Sequence, residues 1–276
     1  MMLLEKILNC SDEEVDRLIS EELAIANKNS IKVQQLGFIG NGKANCLFKG
    51  FIPLNTRIKY ESMALETYGM ETTDFFYEFA HFIKKHNINS TGSLLFNIEY
   101  FINSYFGYSS KDSRSDIFND VAFQSTTTDE EYFQALQNNK IGDLKGKRSA
   151  QCTEKAAIAQ QLLSLFGFES YYCVGCVDLE NRQEAHSFNI VKKGDNYAIV
   201  DYSLPVTSFN QDGSIKAFYP FIGEIKKEEF NEFVNYGVLK VFDGYEYHNN
   251  RKVLTNDQRT YVLGQSEIEK EKTTRR

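Results

Sequence analysis

Between Gln151 and Tyr202 the hydrophobic pattern changes period from helix to strand, and that change constrains the fold more tightly than any other feature of the chain. Residues 151 to 167 read Gln-Cys-Thr-Glu-Lys-Ala-Ala-Ile-Ala-Gln-Gln-Leu-Leu-Ser-Leu-Phe-Gly, rich in strong helix formers after Cys152, with Gly167 as the stop. Ala156, Ala159, Leu163 and Phe166 share one helical face with Cys152, so Cys152 starts the expected buried stripe. A thiol at a helix N-terminus sits near unpaired N–H groups and the positive end of the macrodipole, which favour the nucleophilic thiolate.

Residues 185 to 202, Ala-His-Ser-Phe-Asn-Ile-Val-Lys-Lys-Gly-Asp-Asn-Tyr-Ala-Ile-Val-Asp-Tyr, read as two strands joined by a polar, Gly-containing turn. With Gly194-Asp195 as a two-residue type II′ loop, Ile190 pairs with Ile199 and Phe188 with Asp201. His186 then lies diagonal to Asp201 on one face, and a one-residue slip would separate them. A lone cysteine at a helix start is more often a small core residue than a nucleophile. Here helix-start Cys152, strand His186 and next-strand Asp201 coincide in order, spacing and face, which favours a nucleophile with its base and orienter.

Around those three residues the sequence carries Ala156, Ala157, Leu162, Leu163, Gly167, Val174 and Gly175, with Tyr202-Ser203-Leu204-Pro205 after the Asp. Upstream runs Ile98-Glu99-Tyr100-Phe101-Ile102-Asn103-Ser104-Tyr105-Phe106-Gly107-Tyr108. On these features residues from about Ser93 to Pro205 resemble the transglutaminase-like superfamily, the circularly rearranged relatives of papain-type cysteine proteases. The resemblance implies an α+β fold: a papain-like, transglutaminase-like core with the nucleophile at a helix N-terminus, packed on an antiparallel sheet carrying His and Asp.

It also implies cysteine-dependent acyl transfer on an amide, by a protease, an amidase or a transglutaminase-type enzyme, with Cys152 as nucleophile, His186 as base and Asp201 as orienter. The substrate would be a protein, a peptide or a small amide, and the acyl acceptor water or an amine. No metal or organic cofactor is required for this chemistry. The Cys152 backbone N–H is the expected first oxyanion donor, and Gln151 and Gln124 are candidates for the second. The chain has no Trp, so the indole donor of some relatives has no counterpart. The competing reading is a catalytically inactive member that serves as a protein-interaction module, docking through its N-terminal helix and hairpin. Thiol–disulfide exchange through Cys173 and Cys176 ranks below both, because that pair sits in a strand-like run with its thiols on opposite faces.

A net charge of −7 argues against binding to nucleic acid or an anionic membrane. No run of about eighteen apolar residues occurs, so no membrane span is expected. The start lacks the pattern of a signal peptide, and five scattered cysteines suit reduced thiols; a cytoplasmic protein is expected, and delivery by a dedicated secretion machine would look the same. The oligomeric state is open.

Three segments are expected: residues 1–90 as an extension of helix, β-hairpin and helix, 91–262 as the catalytic core, and 263–276 as a charged, disordered tail. Ser11-Asp12-Glu13-Glu14 is a capping box before an amphipathic helix to about Ala26, and Ile31 to Pro53 reads as two strands around Asn41-Gly42. Helices are expected over Thr72–His86, Ser93–Phe106, Thr128–Gln137 and Lys227–Asn235, an irregular stretch after Pro205, and a strand near Val238–Phe242. Gly37 to Lys43 has phosphate-loop spacing, but Ala44 replaces the required hydroxyl and strand-like residues follow, so a hairpin turn is favoured. His81, His86 and His248 read as surface or packing residues.

Overall fold

In the computed structural model the described residues are 2–29, 34–36, 46–52, 58–59, 64–65, 71–107, 126–138, 140–179, 182–209, 215–241, 245–248, 251–254 and 259–264. They form a mixture of helices and antiparallel sheet, an α+β protein. The chain divides into two compact units: residues 1–33 with 50–169, and 34–49 with 170–276. These units cut the chain elsewhere than at 90/91. Residues 91–169 belong with the N-terminal helices, and 34–49 with the sheet.

The first unit is helical. It contains α1 (Met2–Asn9), α2 (Val15–Asn29), α3 (Thr73–Lys85), α4 (Thr91–Phe106), α5 (Asp129–Asn138) and α6 (Cys152–Leu165). A 3-10 turn over Asp12–Glu14 leads into α2, with the Ser11 backbone N–H donating to Glu14 Oε2 at 3.0 Å as the capping spacing requires. The core is aromatic. Phe75 of α3 meets Phe101 and Tyr105 of α4 edge-on, with ring centroids 5.1 and 4.8 Å apart, and Phe79 meets Phe166 at 5.9 Å. Such rings bury large areas and fix neighbouring helices by their edge-to-face geometry.

Helix α6 departs from the expected single stripe. Ala156, Ala159, Leu163 and Phe166 are buried as expected, but so are Glu154, Lys155, Gln160 and Gln161. A helix buried all round must satisfy its polar side chains internally. Gln160 Nε2 donates to the Gly50 carbonyl at 2.9 Å, and Gln161 Nε2 to that of Ile52, also at 2.9 Å. Thr72 Oγ1 completes the Gln161 amide by donating to its Oε1.

The second unit is built on one antiparallel sheet. Its strands are β1 (Gln34–Leu36), β2 (Leu47–Lys49), β5 (Ser170–Leu179), β6 (Arg182–Lys193), β7 (Asn196–Phe209), β8 (Ile215–Ile225), β9 (Val238–Val241) and β12 (Arg259–Leu263). The two-residue strands β3 (Ile58–Lys59) and β4 (Ala64–Leu65) pair with each other in the first unit, and β10 (Tyr245–His248) pairs with β11 (Arg251–Leu254) in the second. The order β1-β2-β5-β6-β7-β8 forms the main path. Along its other edge β5 takes β2 at Tyr171–Cys173 and then β12 at Gly175–Asp178, and β12 takes β9. Helix α7 (Lys227–Tyr236) ends at Gly237, whose φ of +77° provides a left-handed cap.

Gly175 permits the β5–β12 contact. A Cβ there would lie 1.7 Å from the Val262 carbonyl oxygen. Beyond Pro205 the expected irregular stretch is instead a long strand: β7 continues to Phe209 and pairs with β8 through an irregular register. Pro205 hid it, because proline normally argues against a strand interior; here it falls in a bulge that needs no N–H from it. The Asn41-Gly42 turn lies outside the described residues, as do residues 265–276. Leu263, expected in the disordered tail, is instead buried and paired with Gly175 as the last residue of β12.

Candidate active site

The hairpin register is the one the sequence dictates. Lys193 pairs with Asn196 across Gly194-Asp195, and Ile190 with Ile199, so the two-residue loop sets every later position. Gly194 has a φ of +65°, as the first position of a primed turn demands. The ladder ends at Asn189 with Val200, one pair short of the expected Phe188–Asp201 contact. Asp201 pairs instead with Phe221 of β8, and the next pair on that side is Val206 with Tyr219. Residues 202–205 thus bulge opposite one residue of β8 and re-aim the chain beside the acid.

His186 and Asp201 do meet, with Nε2 2.8 Å from Oδ2 and both side chains buried. The bulge supplies the rest of the carboxylate's shell. Asp201 Oδ1 accepts from the backbone N–H groups of Ser203 and Leu204, at 3.2 and 3.1 Å, and from Ser203 Oγ at 3.1 Å. Strand β12 brings two more groups. Tyr261 donates its hydroxyl to Oδ2 at 2.9 Å, and Arg259 Nη1 lies 3.7 Å from the same oxygen while donating to the Leu204 carbonyl. The guanidinium carbon of Arg259 stands 3.8 Å over the Phe221 ring.

Burial alone would raise the pKa of Asp201. The charge and hydrogen bond of His186, the charge of Arg259 and the Tyr261 hydroxyl outweigh it and hold the carboxyl well below the usual range. Tyr261 is pushed up, by burial first and then by Asp201. An ionised carboxylate can only accept, so Nε2 of His186 carries the hydrogen. In the neutral imidazole Nδ1 is then the basic nitrogen.

Cys152 lies in the helical unit, half-buried, as the first residue of α6, with its Sγ 4.0 Å from Thr153 Oγ1. His186 and Asp201 lie in the sheet unit. Gln151 directly precedes the helix, and its backbone N–H is committed to Glu154 Oε2 at 2.6 Å. Any oxyanion contribution from Gln151 must therefore come from its side-chain amide. Gln124 lies outside the described residues. Arg148, four residues before Cys152, has a φ of +55°, a left-handed conformation that costs a non-glycine residue about 1 kcal/mol. It packs where a Cβ on Gly107 would come within 2.7 Å of its Cγ.

No disulfide joins any of the five cysteines, and Cys173 and Cys176 are fully buried on β5. Burial, helped by Cys46, pushes the Cys173 thiol well up, which suppresses its thiolate. His81 Nε2 pairs with Asp16 at 2.9 Å on the surface, and His86 packs on Phe82, with rings 4.5 Å apart. Among the described residues no group of three or more His, Cys, Asp or Glu side chains could hold a metal ion, and no helix is long and apolar enough to cross a membrane.

Five residues around these groups escape sequence reasoning. Glu154 has a weak signal, a carboxylate at the third helical position, and Ser203 another, an Asp-x-Ser turn. Tyr132, Arg259 and Tyr261 have none, because their partners are distant in the chain. Comparison of the chain with protein families, curated proteins and solved structures finds no match.

Proposed function

We propose that this chain is a cysteine-dependent acyl-transfer enzyme on a papain-like, transglutaminase-like core, acting on an amide of a protein, peptide or small molecule. The observation that carries the reading is the buried His186–Asp201 pair, whose acid accepts three hydrogen bonds from backbone and hydroxyl donors on one oxygen and meets Tyr261 and Arg259 at the other. Holding a carboxylate charged in the interior is costly, and it serves a purpose where an adjacent imidazole must transiently become cationic. Cys152, at a helix start, supplies a thiol of the kind such a base activates.

In this mechanism Nδ1 of His186 takes the Cys152 proton while the sulfur bonds the amide carbonyl carbon and the carbonyl π pair moves onto oxygen. The Cys152 backbone N–H donates to that oxyanion. Collapse breaks the C–N bond, and the leaving amine takes the proton from His186, which leaves a thioester on Cys152. Water or an amine then attacks the thioester, gives a proton to His186, and releases the acyl product as that proton returns to sulfur. Hydrolysis ranks ahead of amine transfer.

Iodoacetamide alkylation followed by peptide mass spectrometry at pH 6 tests the reading without a substrate. Cys152 should react at least about tenfold faster than Cys10, the other half-buried thiol, and His186→Ala should abolish the difference. In a turnover assay Cys152→Ala and His186→Ala should each eliminate activity, and Asp201→Asn should reduce it strongly. Equal labelling of Cys152 and Cys10 in wild type would instead support an inactive interaction module.

A further inference from the structure

We propose that Tyr132 and Glu154 are positioning residues for Cys152, locking the first turn of α6 so that the Cys152 sulfur and backbone N–H keep their reacting geometry. The inference rests on the nucleophile reading above. Glu154 sits two residues beyond Cys152 and is only 2% exposed, whereas carboxylates that cap helix starts are ordinarily on the surface. One oxygen accepts the Gln151 backbone N–H at 2.6 Å, and the other accepts the Tyr132 hydroxyl at 2.9 Å. Tyr132 comes from a different helix, α5, and is itself buried. The start of α6 is thereby tied to a second element rather than left to fray.

The tie has a directional consequence. The Gln151 carbonyl accepts from the Lys155 backbone N–H at 3.1 Å, while the Gln151 N–H is held by Glu154. The planar peptide that joins Gln151 to Cys152 carries the Gln151 carbonyl and the Cys152 N–H pointing opposite ways. With the carbonyl directed into the helix, the Cys152 N–H points out of its start, where an oxyanion would be bound. Lys155 is anchored too, its Nζ donating to Asn103 Oδ1 at 2.9 Å, and Asn103 Nδ2 donates to Glu99 Oε1 at the same distance. Burial first, and then Glu154, pushes the Tyr132 phenol up.

Burying a carboxyl and a phenol is unfavourable unless both are hydrogen-bonded, and an apolar pair would fill the space at lower cost. What this pair adds is orientation. Glutamine at 154 preserves it, with an amide oxygen for the Gln151 N–H and an amide nitrogen for the Tyr132 oxygen, whereas alanine removes it.

The test measures iodoacetamide alkylation rates at Cys152 and Cys10 by peptide mass spectrometry in wild type, Glu154→Gln, Glu154→Ala and Tyr132→Phe, with thermal unfolding of each. Glu154→Ala and Tyr132→Phe should slow Cys152 by roughly tenfold, with Cys10 unchanged, and Glu154→Gln should restore the rate to within about twofold. A fast Cys152 in wild type that is unaffected by Glu154→Ala and Tyr132→Phe, or slowed as much by glutamine as by alanine, overturns the proposal. Tyr132→Phe keeps the ring, so it reports even if Glu154→Ala fails to fold. A wild-type Cys152 no faster than Cys10 overturns the nucleophile reading, and the positioning role falls with it.

Discussion

Two buried carboxyls give this protein opposite responses to pH. Asp201 is held below its unfolded value of about 3.9, so its stabilisation is present above that pH and is lost as pH falls through the folded value. Glu154 is raised, by burial above all, so its neutral form is favoured and its contribution is lost as pH rises through the folded value. In urea unfolding, lowering pH from about 5 to about 3 should reduce wild-type stability more than that of Asp201→Asn. Between pH 5 and 8 Glu154→Gln should gain on wild type, because glutamine cannot ionise. A difference constant across that range would mean that Glu154 titrates normally. The His186–Asp201 meeting was legible because one two-residue turn fixes both positions. The supports of Asp201 were not, since Arg259 and Tyr261 are about sixty residues away and nothing local to them announces a buried anion.

At the scale of elements, helices α2 to α7 could be read from capping residues and 3.6-residue periodicity, and their observed ends fall within about three residues of expectation, close to the ordinary scatter of helix boundaries. Strand β8 and the far half of β7 could not. A proline and a bulge break the alternation that a strand shows in sequence, and pairing with a neighbour compensates only once the sheet exists. Gly175 illustrates a constraint invisible without β12: its missing side chain makes room for the Val262 carbonyl. Gly175→Ala should lower unfolding stability by about 1–3 kcal/mol in urea titration. It should also increase amide exchange at Thr260–Leu263, which pair with β5. Unchanged protection there would show that β12 is not held by this close approach.

Across the whole molecule, the sheet unit borrows residues 34–49 from within the sequence of the helical unit. Phe48 is fully buried, with its ring 6.2 Å from that of Tyr172 on β5, although well over a hundred residues separate the two. Phe48→Ala should cost about 3–5 kcal/mol, and hydrogen exchange should rise in β5 rather than in α3 or α4. Equal loosening of all three would mean that the two units unfold as one. The placement of Arg259 and Tyr261 on β12 has a further consequence in time. A nascent chain that has emerged only through β8 already contains His186 and Asp201, but not the guanidinium and phenol that make a buried anion tolerable. Until β12 docks, Asp201 lacks both of those groups, so the surroundings of the buried acid are complete only when residues 259 and 261 have joined the sheet. A ribosome stalled before that point would carry a chain with both members of the pair and neither of the β12 groups beside the acid.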